Sequence, residues 1–221
     1  MKRICFFIVI SFVFFAKANS QVLAPTIVNS NSFDYKKLAQ IDTIVNHYIQ
    51  KNWLVGASII IVKDNSIVYY KGLGFADKAN KKQMANNAIY RIMSQTKAIT
   101  SLAILQLFEK GLLQLDEPVS DFIPSFKNAV VIASYNPTDT SYTTIPVKRP
   151  ITIRDLLTHS SGIDYTDIGS QNMGAIYTKA GVPSGLGHTN GNLFDKMNLL
   201  GKLPLAHQPG EKFTYGLNSD L

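Results

Sequence analysis

Residues 98–108 form the most constraining stretch of this chain. Ala98-Ile99-Thr100-Ser101-Leu102-Ala103-Ile104-Leu105-Gln106-Leu107-Phe108 is almost continuously apolar, and Gly111 follows as a stop signal. The run from Ser94 to Lys110 reads as one helix with apolar side chains on every face, and a helix of that kind belongs in the centre of a fold. Ser94-Gln95-Thr96-Lys97 stands at its start. Residues three apart share a helix face, so the Ser94 hydroxyl and the Lys97 ammonium lie one turn from each other. A helix N-terminus favours a developing anion. An unperturbed lysine leaves roughly one molecule in a thousand neutral at pH 7. Burial lowers that pKa and gives the serine a proton acceptor.

The rest of the chain reads as helices around a small amount of sheet. Leu38, Ile41, Val45, Tyr48, Ile49 and Trp53 recur at helical spacing and predict an amphipathic helix from about Asp34 to Asn52. Gly56 to Val62 and Ile67 to Tyr70 flank Lys63-Asp64-Asn65-Ser66, a hairpin pattern. A polar loop from Ala76 to Asn87 leads to a strand-like Tyr90-Arg91-Ile92-Met93 ahead of Ser94. Ala129 to Ala133 and Tyr142 to Val147 flank Asn136-Pro137-Thr138-Asp139, which reads as an inserted hairpin outside the core. Thr152 caps a short helix through His159 that Gly162 closes. The span from Ile163 to Gly191, rich in Gly, Ser and Thr, reads as a long loop, and Asn192 to Leu200 as a last helix.

The net charge of +7 (22 Lys and Arg against 15 Asp and Glu) is concentrated at the front. Lys2, Arg3 and Lys17 account for three of those charges, leaving a dispersed +4, with no basic stripe suited to nucleic acid. Met1-Lys2-Arg3, the apolar run Ile4 to Ala16 and Ala16-Lys17-Ala18 read as a signal peptide cut after Ala18. The expected location is therefore secreted or periplasmic, without stable membrane insertion after cleavage. Cys5 is the only cysteine and lies within that segment, so the mature chain has no disulfide, thiol nucleophile or cysteine–metal site. His47, His159, His188 and His207 are dispersed, and no phosphate-binding or dinucleotide fingerprint is present. No cofactor is expected.

Several segments in order carry a resemblance: Tyr90 to Lys97, Ile104-Leu105-Gln106-Leu107 with Gly111, and Leu115-Asp116-Glu117-Pro118-Val119. Ile151 to Gly162 and Leu203-Pro204-Leu205 through Pro209-Gly210-Glu211-Lys212-Phe213-Thr214-Tyr215 continue it. Together they resemble the serine β-lactamase-related family, which includes class C β-lactamases, D-alanyl-D-alanine carboxypeptidases and esterases. The resemblance implies an α+β, penicillin-binding-protein-like fold. Residues 1–18 would be the signal peptide, 19–33 a tether, and 34–221 the N-terminal part of the hydrolase domain. The helical subdomain, N-terminal helix and first sheet hairpin would be present, and the C-terminal strands and helix missing.

It further implies Ser94 as the acylated nucleophile, Lys97 as its proton acceptor and Tyr215 as the base that relays the proton. A phenol suits that role beside a cationic Lys97, which favours the phenolate. His159 is implied to be a hydrogen-bonded scaffold residue. Where the family commonly has Tyr-x-Asn, this chain has Tyr215-Gly216-Leu217-Asn218. Leu217 in the asparagine slot suits a more apolar acyl group and an esterase-like reaction, and Asn218 is the remaining candidate for substrate contact. Ser170-Gln171-Asn172 matches the alternative Ser-x-Asn pattern by chance. A Lys-Thr-Gly or His-x-Gly segment, expected to supply an oxyanion donor worth about 10²–10³ in rate, is absent from these 221 residues. The expected substrate is a small-molecule or peptide acyl compound, and the chain as it stands is expected to be inactive or impaired. The alternative is a non-catalytic protein that binds cell-wall peptides or a partner.

Overall fold

A computed structural model describes residues 34–184 and 190–221. The expected signal peptide and tether lie outside the described residues. The chain divides between Tyr90 and Arg91 into two compact units.

The first unit pairs one helix with a small sheet. Helix α1 (Tyr35–Gln50) starts at Asp34, whose Oδ1 accepts the free Lys36 and Lys37 amides at 3.1 and 3.2 Å. Strands β1 (Gly56–Lys63) and β2 (Ser66–Asp77) form the expected antiparallel hairpin. Its two loop residues, Asp64 and Asn65, both have positive φ, which matches the twist of the strands they join. Strand β3 (Lys82–Gln83) adds to the far end of β2. Asp42 on α1 accepts from Tyr69 Oη at 2.5 Å and Lys71 Nζ at 2.6 Å, which ties the helix to β2.

The second unit carries the chemistry. Helix α2 (Gln95–Glu109) follows Ser94 and ends before Gly111, whose φ is +68°. Two 3₁₀ turns, Val119–Asp121 and Pro124–Phe126, lead to strands β4 (Val130–Tyr135) and β5 (Tyr142–Pro146). Helices α3 (Ile153–Leu157), α4 (Gln171–Ala180) and α5 (Leu193–Leu200) and a 3₁₀ turn, Leu217–Asp220, complete it. Val131, Ile163, Met173, Tyr177, Leu200 and Leu217 are among the side chains of its core.

The motif segments of the sequence are stitched together by backbone hydrogen bonds. Val119 N–H donates to Ile151 C=O at 2.8 Å and Arg154 N–H to Leu115 C=O at 2.7 Å, zipping 115–119 to 151–154. In turn, Ala206, Gly210 and Thr214 N–H donate to Gly162, Ser160 and His159 C=O at 2.7–2.8 Å. Gly162 is required there, because its φ is +90° and a Cβ would lie 2.4 Å from the His207 carbonyl oxygen.

Four local expectations are corrected. Helix α2 forms where expected but has no buried residue, and Ile99 and Leu102 are 61% and 55% exposed. An all-round apolar helix is enclosed only by partners on every side, and the described residues of this unit meet it on one. The expected loop from 163 to 191 contains α4, held by the single apolar face of Met173, Ile176 and Tyr177. The segment before Ser94 is not a strand. The β4–β5 pair is not peripheral either, since Val131 is buried in the core and Ile132 N–H donates to Leu205 C=O at 2.9 Å. The exposed half of the pair is β5.

Asp155 anchors this scaffold. Its carboxylate accepts two hydrogen bonds from Arg149 at 2.6 and 2.9 Å and closes a capping box with Thr152. Burial pushes the carboxyl up, but the Arg149 and Thr152 hydrogen bonds outweigh it and hold the pKa below the usual carboxylate value. A depressed folded-state pKa contributes stability that is present above the unfolded pKa of about 3.9 and is lost as pH falls through the folded value. Arg149 is 44% exposed and stays solvated without its partner, so Asp155→Asn is expected to destabilise by about 1–2 kcal/mol at pH 7 in urea unfolding. The gap to wild type narrows near pH 3, and an equal gap at both pH values would exclude the ion pair as its source.

Candidate active site

The residue preceding the nucleophile candidate is bent out of regular backbone. Met93 has φ +49°, a left-handed conformation that costs a side-chain-bearing residue about 1–2 kcal/mol. Ser94 then enters α2 in right-handed geometry, exposed, and its hydroxyl makes no capping hydrogen bond. An unstrained serine at a helix start would satisfy a free amide with its oxygen. Here the hydroxyl is left available for another use.

One turn on, Lys97 points to a cluster of groups distant in sequence. Its Nζ donates to Tyr165 Oη at 2.6 Å and lies 3.6 Å from Asp220 Oδ2. It also lies 5.3 Å from the Tyr165 ring centre and 5.4 Å from that of Tyr215. The two tyrosine rings are 5.5 Å apart. Ser94, Lys97 and Tyr215 thus come to one end of α2 as the sequence motifs suggest, but the lysine's hydrogen bond goes to Tyr165. Tyr165 and Asp220 are site residues that the sequence reading missed. Tyr165 follows the Thr158 to Gly162 motif by three residues, and Asp220 follows Tyr215 by five. Proximity to those motifs is the signal that points to them.

The electrostatics alter the expected state of Lys97. Burial does push its ammonium towards the neutral form, since the side chain is 16% exposed. The Tyr165 hydrogen bond and the Asp220 charge outweigh that, and the net shift is upward. Lys97 is consequently an ammonium at neutral pH, contrary to the expectation that burial makes it a ready base. Burial that brings an anion with it stabilises the cation. The Tyr165 phenol is pushed up by its own burial, which the nearby Lys97 only partly offsets, so it stays protonated.

His159 supports Tyr215 from behind. The two rings stack with centres 4.9 Å apart, and His159 Nδ1 accepts from Gly216 N–H at 3.3 Å and Asn218 Nδ2 at 3.1 Å. An accepting Nδ1 assigns the neutral tautomer with its proton on Nε2. Burial first, and Lys97 second, push its pKa below that of a free histidine, so it is uncharged at pH 7. This is the scaffold role the sequence suggested. Gly216 permits the close approach, because a Cβ there would lie 2.1 Å from the Ile163 carbonyl oxygen.

Asn218 and Leu217 are turned inward. Asn218 is 1% exposed, with Oδ1 accepting from Ser161 Oγ and Nδ2 donating to His159, Ile163 C=O and Thr214 C=O. Its hydrogen-bonding capacity is spent within the protein, which makes it a brace between two motifs and not a free amide for substrate. Leu217, in the family's asparagine slot, is 1% exposed in the core and presents no side chain to an acyl group. Ser170 is structural as well, its Oγ and N–H both donating to Asp164 Oδ2 at 2.6 and 3.0 Å. Among the described residues, no group of three His, Cys, Asp or Glu could hold a metal ion.

Comparison with known proteins bears on the family and the fold. Residues 41–219 match the Beta-lactamase family. Esterase EstB of Burkholderia gladioli is 29% identical over 183 residues, covering 83% of this chain and 43% of that one. Protein flp of Staphylococcus aureus (strain MW2) is 37% identical, covering 82% and 31%. The solved structure of EstCE1, a hydrolase with promiscuous acyltransferase activity, superposes with a TM-score of 0.68 at 28% identity, covering 84% of this chain and 45% of that one. The chain spans less than half the length of these relatives. Its fold is of the β-lactamase and penicillin-binding-protein type, and the chain belongs to the Beta-lactamase family.

Proposed function

We propose that this chain is an acyl-transferring serine hydrolase that works on esters through an acyl-enzyme at Ser94, and that it is impaired as it stands by the lack of a Lys-Thr-Gly or His-x-Gly segment among these residues. The observation that carries the reading is the convergence of Tyr165, Tyr215 and Asp220 on Lys97, one helical turn from an uncommitted serine hydroxyl. Ser94 Oγ attacks the ester carbonyl and its proton passes to the Lys97–Tyr215 pair. The carbonyl–oxygen bond then breaks, and the leaving alcoholate takes that proton. Water attacks the acyl-enzyme, the acid departs, and Ser94 regains a proton. The step requires the Lys97–Tyr215 pair to be one proton short when Ser94 attacks.

The ester preference is supported by the similarity to EstB and EstCE1 and by the lack of a free amide at Asn218. The export expected from residues 1–18 belongs to the same proposal, and no helix among the described residues is long and apolar enough to cross a membrane. The test is to mix the full chain with p-nitrophenyl butyrate and with nitrocefin and to map any adduct by peptide mass spectrometry. A burst of p-nitrophenol with a butyryl group on the Ser94 peptide, faster than any nitrocefin turnover, is the expected result. A folded chain with no adduct from either compound would favour the binding-protein alternative.

A further inference from the structure

Asp220 has no step in that reaction, yet it stands where a charge acts strongly on it. Its Oδ2 is buried without a hydrogen-bond partner among the described residues, and it faces Lys97 Nζ at 3.6 Å. A buried carboxylate oxygen without a hydrogen bond is costly unless a cation compensates it.

We propose that Asp220 is a positioning residue for acyl transfer, its carboxylate holding Lys97 as an ammonium between Tyr165 and Tyr215 and thereby setting the pH window of the reaction. The inference rests on the hydrolase reading. The titratable groups around Lys97 are Tyr165 and His159 from the segment after α3, and Tyr215 and Asp220 from the segment after α5. Tyr165 is protonated and His159 neutral at pH 7, and Asp220 is the carboxylate that faces the ammonium.

The sign follows from removing that charge. Without Asp220 the Lys97 ammonium and the Tyr165 phenol both give up their protons more easily. Both the acid and the alkaline limb of kcat/KM then move to lower pH. The expected movement is about one pH unit, at the low end for a neighbouring charge because the Asp220 side chain is 34% exposed.

The experiment compares wild type, Asp220→Asn and Asp220→Glu in the full chain. It reads kcat/KM for p-nitrophenyl butyrate against pH, and the titration of Lys97 by NMR of ¹³C-labelled lysine, assigned with Lys97→Arg. Expected are a wild-type Lys97 midpoint above that of free lysine, a fall of about one unit in Asp220→Asn, matching shifts of both limbs, and recovery in Asp220→Glu. Lower amplitude with unmoved limbs would mean that Asp220 only packs, and would overturn the proposal. So would a wild-type Lys97 midpoint below that of free lysine, which needs no variant to fold. A Lys97 midpoint that moves in a chain never acylated at Ser94 would retire the hydrolase reading and leave the charge coupling standing. An unmoved midpoint in a chain that is acylated would retire the role of Asp220 alone.

Discussion

Ser94→Ala is expected to abolish covalent capture of p-nitrophenyl butyrate or a fluorophosphonate, with a rate loss of at least about 10⁴-fold, while the protein melts within about 1 °C of wild type. The two halves of this expectation rest on different observations. A serine that caps a helix costs about 1 kcal/mol when replaced by alanine, because a free backbone amide loses its acceptor. Ser94 makes no such bond and is exposed, so its hydroxyl has little stability to lose. Its chemistry, by contrast, has no substitute among its immediate neighbours: Met93 and Gln95 offer no hydroxyl, and Thr96 is a different distance along the helix from Lys97. Labelling rate and melting temperature together therefore separate a nucleophile from a cap. A variant that labels normally, or one that labels poorly only because it has lost more than about 1 kcal/mol of stability, would contradict the assignment.

How much of this was legible in the sequence depends on how local each cause is. The bounds of α1, α2, α3 and α5 follow from punctuation that acts within a few residues: Asp34, Thr152 and Asn192 as caps, and Gly111 as a stop. The hairpin of β1 and β2 is equally local, with Asp64-Asn65 as its turn. Helix α4 was hidden because three apolar side chains hold it among Gln, Asn, Gly and Thr, too few to show a period. The exposure of α2 was hidden for another reason. Apolarity states what a helix would bury, not whether neighbours are present to bury it.

The site shows the same division. Ser94 and Lys97 share one helix and are readable from spacing. Tyr165 is 68 residues from Lys97, and its place depends on the turn after Gly162, the hydrogen bonds that zip 158–162 to 206–214, and the burial of Ile163. Asn218 shows why a motif offset by one place matters. In a tight turn after Gly216, one position decides whether an amide faces the site or the scaffold, and here it braces Ser161 and His159.

Lys97→Met carries the second large effect, an expected fall of about 10³-fold in the acylation rate. Methionine keeps most of the stem and removes the charge, so the packing of the α2 flank is nearly conserved. Two groups are left without their partner: Tyr165 Oη loses its 2.6 Å hydrogen bond, and Asp220 Oδ2 loses the ammonium that faces it. The double variant Lys97→Met/Asp220→Asn should regain part of the lost stability and none of the activity. Lys97→Arg discriminates further, because arginine keeps the positive charge and cannot act as a base. If the lysine works as a cation that favours a phenolate, Lys97→Arg retains activity measurably above Lys97→Met. If the lysine must accept the serine proton itself, the two variants are equally slow, and the proton acceptor is the amine and not the phenol. Acylation rates of the three proteins, measured at one pH on samples of equal folded fraction, decide between these mechanisms. The geometry favours the first, since an amine that is to receive a proton gains nothing from a carboxylate 3.6 Å away that keeps it protonated.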